Sequence, residues 1–341
     1  MKVYSKKNFI VLCVIVAFLF CSLHLFIFAD EVNDSNSNMG ITIIKDSIED
    51  NETETETETD NDNDEENNII DSLSFKYYFE VGDSLYYSIF SRDSISINYD
   101  VPLLRLREEK ILITCDSINK QGNFCLTHRL IDADAVESYK DEKNIKREKS
   151  MWVNMPVYIE LDSLGRRIKV FNKDTNKAVS APGGVFQPIL FITLSKNGEN
   201  RKGINESWLN SSTDELVENG FPLPIFKSTT LVRLKGITDT MGYDMMQFTF
   251  VRSGQASYEL LTEEYSIKTA GIINSGGEIY IDTTFWVPIV LIHTLEQKLT
   301  FYYPDDREQP GRHFIYATFI CNKIVRNNKV YYPASNLKNI K

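Results

Sequence analysis

The sequence predicts a mainly β protein, with tandem, strongly curved antiparallel sheets forming two half-barrels and little helix. Three observations carry this reading. Beyond Ser72, apolar residues recur with period two, as in "DSLYYSIFSRDSISI" (Asp83–Ile97), the spacing of strands with one buried face. Turn signals separate these runs at short intervals. Strand and turn landmarks also return at an offset of 120 residues.

Residues 1–29 open with Lys2, Lys6 and Lys7, continue through the apolar run Phe9–Phe28, and end at Ala29 before an acidic stretch. That is the pattern of a secretory signal peptide cut near Ala29. The run approaches the ~20 residues that span a bilayer, so an uncleaved N-terminal membrane anchor is the alternative. Lipidation at Cys21 is a third reading, opposed by Phe20, which stands where a small residue should precede the cysteine. All three export the remainder to the periplasm, outer membrane or cell exterior.

Residues 30–71 carry sixteen Asp/Glu against one Lys and no aromatic residue. Such a segment cannot bury enough apolar surface to offset its ordering entropy, and is expected to be a disordered acidic tether. Asp60, Asp62, Asp64 and Asp71 fall at calcium-loop positions, but Glu65 stands where that loop needs glycine, so a solvated spacer is the stronger reading. The whole chain has a net charge of −11, and the tether holds it: beyond residue 72 the balance is close to +1. A near-neutral body without a basic stripe argues against nucleic acid as a partner.

Strands are expected in "PVYIELDSLGRRIKVF" (156–171), "TTLVRLKGI" (229–237), "DMMQFTFV" (244–251), "GEIYIDTTFWVPIVLIH" (277–293) and "QKLTFYY" (297–303). Turns are expected at "NKQG" (119–122), "DSLG" (162–165), "NGFP" (219–222), "DTMG" (239–242), "NSGG" (274–277) and "PDDREQPG" (304–311). Two stretches read as helix: the polar "DAVESYKDEKNIKREK" (134–149) and, more weakly, "YELLTEEYSIK" (258–268).

Gly122 and Gly242 sit in equivalent turns, Asp162 and Asp282 each end an apolar strand, and Ile159/Ile279 and Val170/Val290 match in the same register. A duplicated β unit follows, with the first at residues 72–201 and the second at 202–341.

In "ILITCDSINKQGNFCLT" (111–127), placing Ile111, Ile113 and Cys115 on one core face with Phe124, Leu126 and Leu130 sets Cys115 opposite Leu126 and Ile111 opposite Leu130. The same register gives a two-residue turn, Lys120–Gln121, and pairs Cys125 with Asp116. The thiols of Cys115 and Cys125 then lie on opposite faces, so no disulfide between them is expected, and no histidine cluster accompanies them as metal ligands.

No catalytic, metal or cofactor site is predicted, and the residues that would bind a ligand are not specified by the sequence. His128, His293 and His313 are far apart in strand-like contexts and read as buried structural histidines; hydrolase, phosphate-loop and CxxC motifs are absent. "SAPGGVFQP" (180–188) reads as a small-residue loop between strands that forms a turn and protects an edge, with lining of a cavity mouth as the alternative. Aromatic residues crowd at Tyr77, Tyr78, Phe79, Tyr86, Tyr87 and Phe90, and again at Trp208, Phe221 and Phe226. They fill a core or line a cavity for a lipid or hydrophobic peptide.

"FEVGDSLYYSIFSRDSI", "LVRLKGITDTMGYDMMQFTF" and "GGEIYIDTTFWVPIVLIH" resemble envelope proteins of Gram-negative bacteria of unassigned function, distantly similar to the lipoprotein-carrier (LolA/LolB-like) half-barrel. The resemblance spans roughly residues 72–333. It implies an unclosed curved sheet with an apolar concave face and no catalytic residues. The functional expectation is a non-enzymatic, exported cell-envelope protein binding a hydrophobic ligand or an envelope protein partner. The alternative is a structural or surface-interaction protein with packed β units, and an exported hydrolase is a distant third.

Overall fold

The computed structural model describes residues 72–333 except 151, 172–186, 196–198, 219–220, 241–242 and 262–265. The signal segment, the tether with its calcium-like spacing, and most of the 180–188 loop lie outside the described residues.

Among the described residues fifteen strands form: β1 (Ser72–Ser74), β2 (Ser84–Ile97), β3 (Leu103–Ile118), β4 (Phe124–Tyr139), β5 (Glu142–Lys146), β6 (Pro156–Leu161), β7 (Arg167–Phe171), β8 (Arg201–Gly203), β9 (Ser207–Glu218), β10 (Phe221–Thr240), β11 (Tyr243–Leu261), β12 (Ser266–Asp282), β13 (Pro288–Tyr302), β14 (Glu308–Arg326) and β15 (Lys329–Tyr331). β1 pairs with β8. The others make one antiparallel sheet in the order β7-β6-β4-β3-β2-β14-β13-β12-β11-β10-β9, with β5 beside β4 and β15 beside β14. The sheet curls until its ends meet, where Arg167 of β7 reaches Asp214 of β9 at 2.9 Å. The mainly β, strongly curved architecture is as expected. The strands of residues 72–201 and 202–341 are nevertheless one sheet, joined where β2 pairs with β14. That junction is latched by Arg326, whose Nη2 donates to Asp83 Oδ2 at 2.7 Å and to the Tyr78 carbonyl at 3.2 Å.

Period two sets the faces. On β2, Leu85, Tyr87, Ile89 and Ile95 point inward and are buried, as are Ile315, Ala317 and Phe319 on the adjoining β14. Outward positions are mixed: Glu108 and Lys110 on β3, and Arg233 and Lys235 on β10, are exposed in mid-strand. A lipid-facing barrel wall would instead carry a continuous apolar band about 25 Å tall. Among the described residues, no helix is long and apolar enough to cross a membrane.

The β3–β4 register is the expected one where the core sets it: Ile111 faces Leu130, Ile113 faces His128, and Cys115 faces Leu126. It differs near the turn. Asp116 is an extra, bulged residue, so Cys125 pairs with Ser117 instead of Asp116. The loop has three residues, closed by Asn119 N–H donating to the Asn123 carbonyl at 2.9 Å. Gly122 takes φ +82° there, a conformation natural to glycine. Asn119 Oδ1 also accepts from the Gln121 and Asn123 amides. Cys115, Cys125 and Cys321 are free thiols.

Both expected helices are strands. Residues 134–149 finish β4, turn at Lys140 and return as β5. Glu137 points inward there and ion-pairs with Arg105 (2.6 Å) and Arg147, so its charge is matched across strands instead of along a helix face. Residues 258–261 end β11 and residues 266–268 begin β12. "NSGG" is not a turn but the middle of β12. At its inward Gly277, an added Cβ would stand 1.9 Å from the Ile292 carbonyl oxygen, so glycine lets β12 and β13 approach where the sheet bends.

The offset of 120 residues recurs in the strand bounds: β2, β3, β4, β6 and β7, shifted by 120, fall on β9, β10, β11, the second half of β12 and the start of β13. Asp162 and Asp282 also act alike, each Oδ1 accepting two backbone amides of its following turn.

Candidate functional site

The barrel lumen gathers the buried polar groups and is the candidate site. Through it runs Gln187–Ser195, an irregular segment in which every residue but Thr193 is buried. Buried backbone outside a ladder needs other hydrogen-bond partners, and the wall supplies them. Tyr77 Oη donates to the Ile192 carbonyl (3.0 Å), Trp208 Nε1 to Leu194 (2.6 Å) and Asn210 Nδ2 to Thr193 (3.1 Å), while Leu194 N–H donates to Leu164 (2.8 Å). The Phe191 ring sits edge-on to Tyr77, Phe79 and His128.

This segment fills the lumen. Between it and the wall formed by β2, β3, β4 and β14 remains a cavity of about 30 Å³, room for one or two waters. Its floor is apolar, with Ile111, Leu130, Leu190 and Phe319, and its rim is polar, with Ser91, Arg107 and Glu109.

Two ionic clusters flank the filled centre. At the seam between β7 and β9, Asp214 ion-pairs with Arg167 (2.9 Å) and accepts from Arg252 Nη2 (2.5 Å). Arg252 Nε also donates to Ser228 Oγ (2.9 Å), and its guanidinium lies over the Phe226 ring. Burial alone would raise the Asp214 pKa, but the two arginines hold it below the usual carboxylate range. In the second cluster, Arg107 pairs with Asp93 (2.9 Å) and Glu109 (3.0 Å), and His313 Nε2 stands 3.7 Å from Asp93. Burial again acts upward on Asp93, and Arg107, His313 and Arg105 outweigh it, so that carboxyl stays ionised.

All three described histidines are buried, on β4, β13 and β14. Burial, then Arg167, lowers His128 from 6.5 to about 3; burial, then Arg252, lowers His293 from 6.5 to about 3. Burial also lowers His313, against the pull of Asp93. His128 and His293 are therefore neutral at pH 7, and each packs against a phenylalanine ring. Among the described residues, the charged group acting on each is an arginine, Arg167 on His128 and Arg252 on His293. Among the described residues, no three His, Cys, Asp or Glu side chains converge as a metal site.

The aromatic groups divide. Tyr77, Phe79, Tyr87 and Phe226 are buried in the core, and Trp208 stacks on Phe75 at 5.7 Å. Tyr78 and Phe90 face outward, and Tyr86 carries the Lys323 ammonium 3.8 Å above its ring. The side chain of Phe221 lies outside the described residues.

Sequence reasoning missed the inward charges, although the phase of the alternation marks them. Arg252 follows Phe248 and Phe250 on one face, and Asp93 lies between Ile89 and Ile95 on another.

No protein-family model matches the chain, and no curated protein matches it. Among solved structures, one described as "lipid-protein interactions in lipovitellin" is similar over 72% of this chain, at 12% identity and a TM-score of 0.42. This chain spans about a quarter (26%) of that one's length. OpdQ of Pseudomonas aeruginosa is similar over 71% of this chain and 99% of its own, at 8% identity and a TM-score of 0.23. Neither likeness is close enough to define a function.

Proposed function

We propose that this chain is a non-enzymatic, exported cell-envelope protein that acts by binding a protein partner on the outside of a self-filled β-barrel. The observation that carries this reading is the Gln187–Ser195 segment, which occupies the lumen and, among the described residues, is flanked by cavities of about 30 Å³ and 20 Å³. A drug-sized ligand needs a pocket of roughly 300–1,000 Å³. The signal-like pattern of residues 1–29 and the acidic composition of 30–71 support a position at or beyond the membrane. The recurrence of strand bounds at 120 residues supports a duplicated unit fused into one barrel, in place of two independent half-barrels.

Native mass spectrometry of the protein purified from its host's membrane and soluble fractions tests the reading. The expected spectrum shows the protein without lipid, and a stoichiometric acyl lipid overturns it. That lipid would establish the second reading, a hydrophobic-ligand binder, which the apolar floor and polar rim beside Leu190 favour. In that case an acyl chain displaces Gln187–Leu194, and Leu190→Ala raises lipid occupancy.

A further inference from the structure

We propose that the free edge of β9 is the docking site for the chain's own threonine–glutamate segment, Glu52–Thr59. Eleven strands lie on the main path of the sheet and each neighbouring pair is antiparallel. An odd number brings the two end strands together running the same way, and β7 and β9 meet without a ladder. A strand antiparallel to both would complete the alternation. At the position related by 120 residues, β14 is such a strand, standing between β13 and β2. Its counterpart in the first half, beginning near residue 188, lies in the lumen instead.

Arg167, the first residue of β7, meets Asp214, so β7 flanks only the later part of β9. Among the described residues, Ser207–Thr213 has ladder partners on the β10 side alone. This edge has no proline and no outward charge, the devices that normally protect exposed strand edges. Leu209 stands 66% exposed on it. The sheet face beside it carries an open surface depression of about 550 Å³ that crosses β9, β10 and β11, lined by Ser211, Thr213, Lys227, Thr229, Ser253 and Gln255.

Charge selects the occupant. On β10, Lys227 lies opposite Thr213 and Arg233 opposite Ser207, so an exposed cation marks each end of the free edge. Neither has an ion-pair partner among the described residues; Arg233 donates to Asn205 Oδ1 at 3.3 Å. An extended partner with alternate carboxylates fits this arrangement, and "ETETETET" (Glu52–Thr59) has that alternation, with a β-branched residue at every second position. Glu52 and Glu58 are six residues apart, as are Lys227 and Arg233. Reach is ample. Ser72 pairs with Gly203, four residues before β9 begins, and residues 60–71 extend to about 40 Å. β-strand addition of this kind draws its affinity from main-chain hydrogen bonds and its selectivity from alternate side chains.

Hydrogen–deuterium exchange on the full chain tests the proposal, comparing wild type with the fourfold variant Glu52→Gln, Glu54→Gln, Glu56→Gln, Glu58→Gln. The seam-facing amides of Ser207–Thr213 are expected to exchange about tenfold faster in the variant, with β12 amides unchanged. The double variant Lys227→Glu, Arg233→Glu is expected to give the same local loss. Equal exchange at Ser207–Thr213 in all three proteins overturns the proposal. So does wild-type protection that fades on tenfold dilution, which would place a second copy on the edge.

Discussion

Lowering the pH from 7 to 5 puts the buried histidines to a quantitative test. His128 and His293 have folded-state pKa values near 3, against 6.5 when unfolded. With the folded value depressed, the unfolded chain takes up protons first. The contribution to stability is complete above the unfolded pKa and declines as the pH falls toward 3. At pH 5, 1.5 units below 6.5, each histidine has lost about 2 kcal/mol, and the pair about 4 kcal/mol. Asp93 and Asp214, held low by their arginines, have the same sign, but their contribution is lost only as the pH falls below about 4. The window from 6.5 to 5 therefore belongs to the histidines. The assay is urea unfolding followed by tryptophan fluorescence at pH 7 and pH 5, with wild type beside His128→Phe, His293→Leu. The double variant, in which only His313 among the described residues is left to titrate in this window, should lose about 4 kcal/mol less than the wild type between the two conditions. A double variant that loses as much as the wild type, or a wild type indifferent to this change, would refute the assignment of neutral buried imidazoles.

Other substitutions probe the lumen and the wall. Arg252→Ala removes one of the two arginines on Asp214 and should cost about 3–5 kcal/mol, read as a lower urea midpoint. Phe191→Ala empties the space among Tyr77, Phe79 and His128, with an expected loss of about 3–5 kcal/mol and a lower Tm in calorimetry. Gly277→Ala pushes a methyl group against the Ile292 carbonyl; a cost of about 1–3 kcal/mol should appear in the same melts, together with faster amide exchange along β12 and β13. In thiol labelling of the native protein, half-buried Cys125 should react first. Cys115 and Cys321, whose pKa values burial pushes up to about 12, should react only on unfolding.

The strands were legible because their side chains alternate against one buried face, and a one-residue slip would turn Ile111, Ile113 and Cys115 outward. Core contacts fixed the pairing of Cys115 with Leu126 but not the turn beyond it. There the Asp116 bulge follows local polar bonding, including Asp116 accepting from Thr127 Oγ1. The polar stretch 134–149 was misread because rim strands share composition with a solvated helix, and only the partners of Glu137 separate the two. Gly277 carried a turn signal, but its use depended on how closely β13 approaches, a tertiary fact. The lumen segment was least visible: "QPILFITLS" has no strand alternation because it is enclosed on all sides instead of lying between core and water. His128 was placed opposite Ile113 by periodicity alone. Arg252 reaches Asp214 across β10, but Arg167 joins them only because the curled sheet brings its two ends together.

The pairing of β2 with β14 has a kinetic consequence. Ile89 is bonded opposite Phe319, 230 residues further along the chain. At about 5–20 residues per second, synthesis of the intervening stretch takes on the order of 10–50 s. Throughout that time one side of β2 has no native neighbour, although β3 is already available on the other. Contacts so distant in sequence also carry a large loop-closure entropy and slow the search for the native state. Assembly of the closed wall is thus a late event that waits for the last fifth of the polypeptide, and the period before it is when the chain is most exposed to strand-to-strand aggregation.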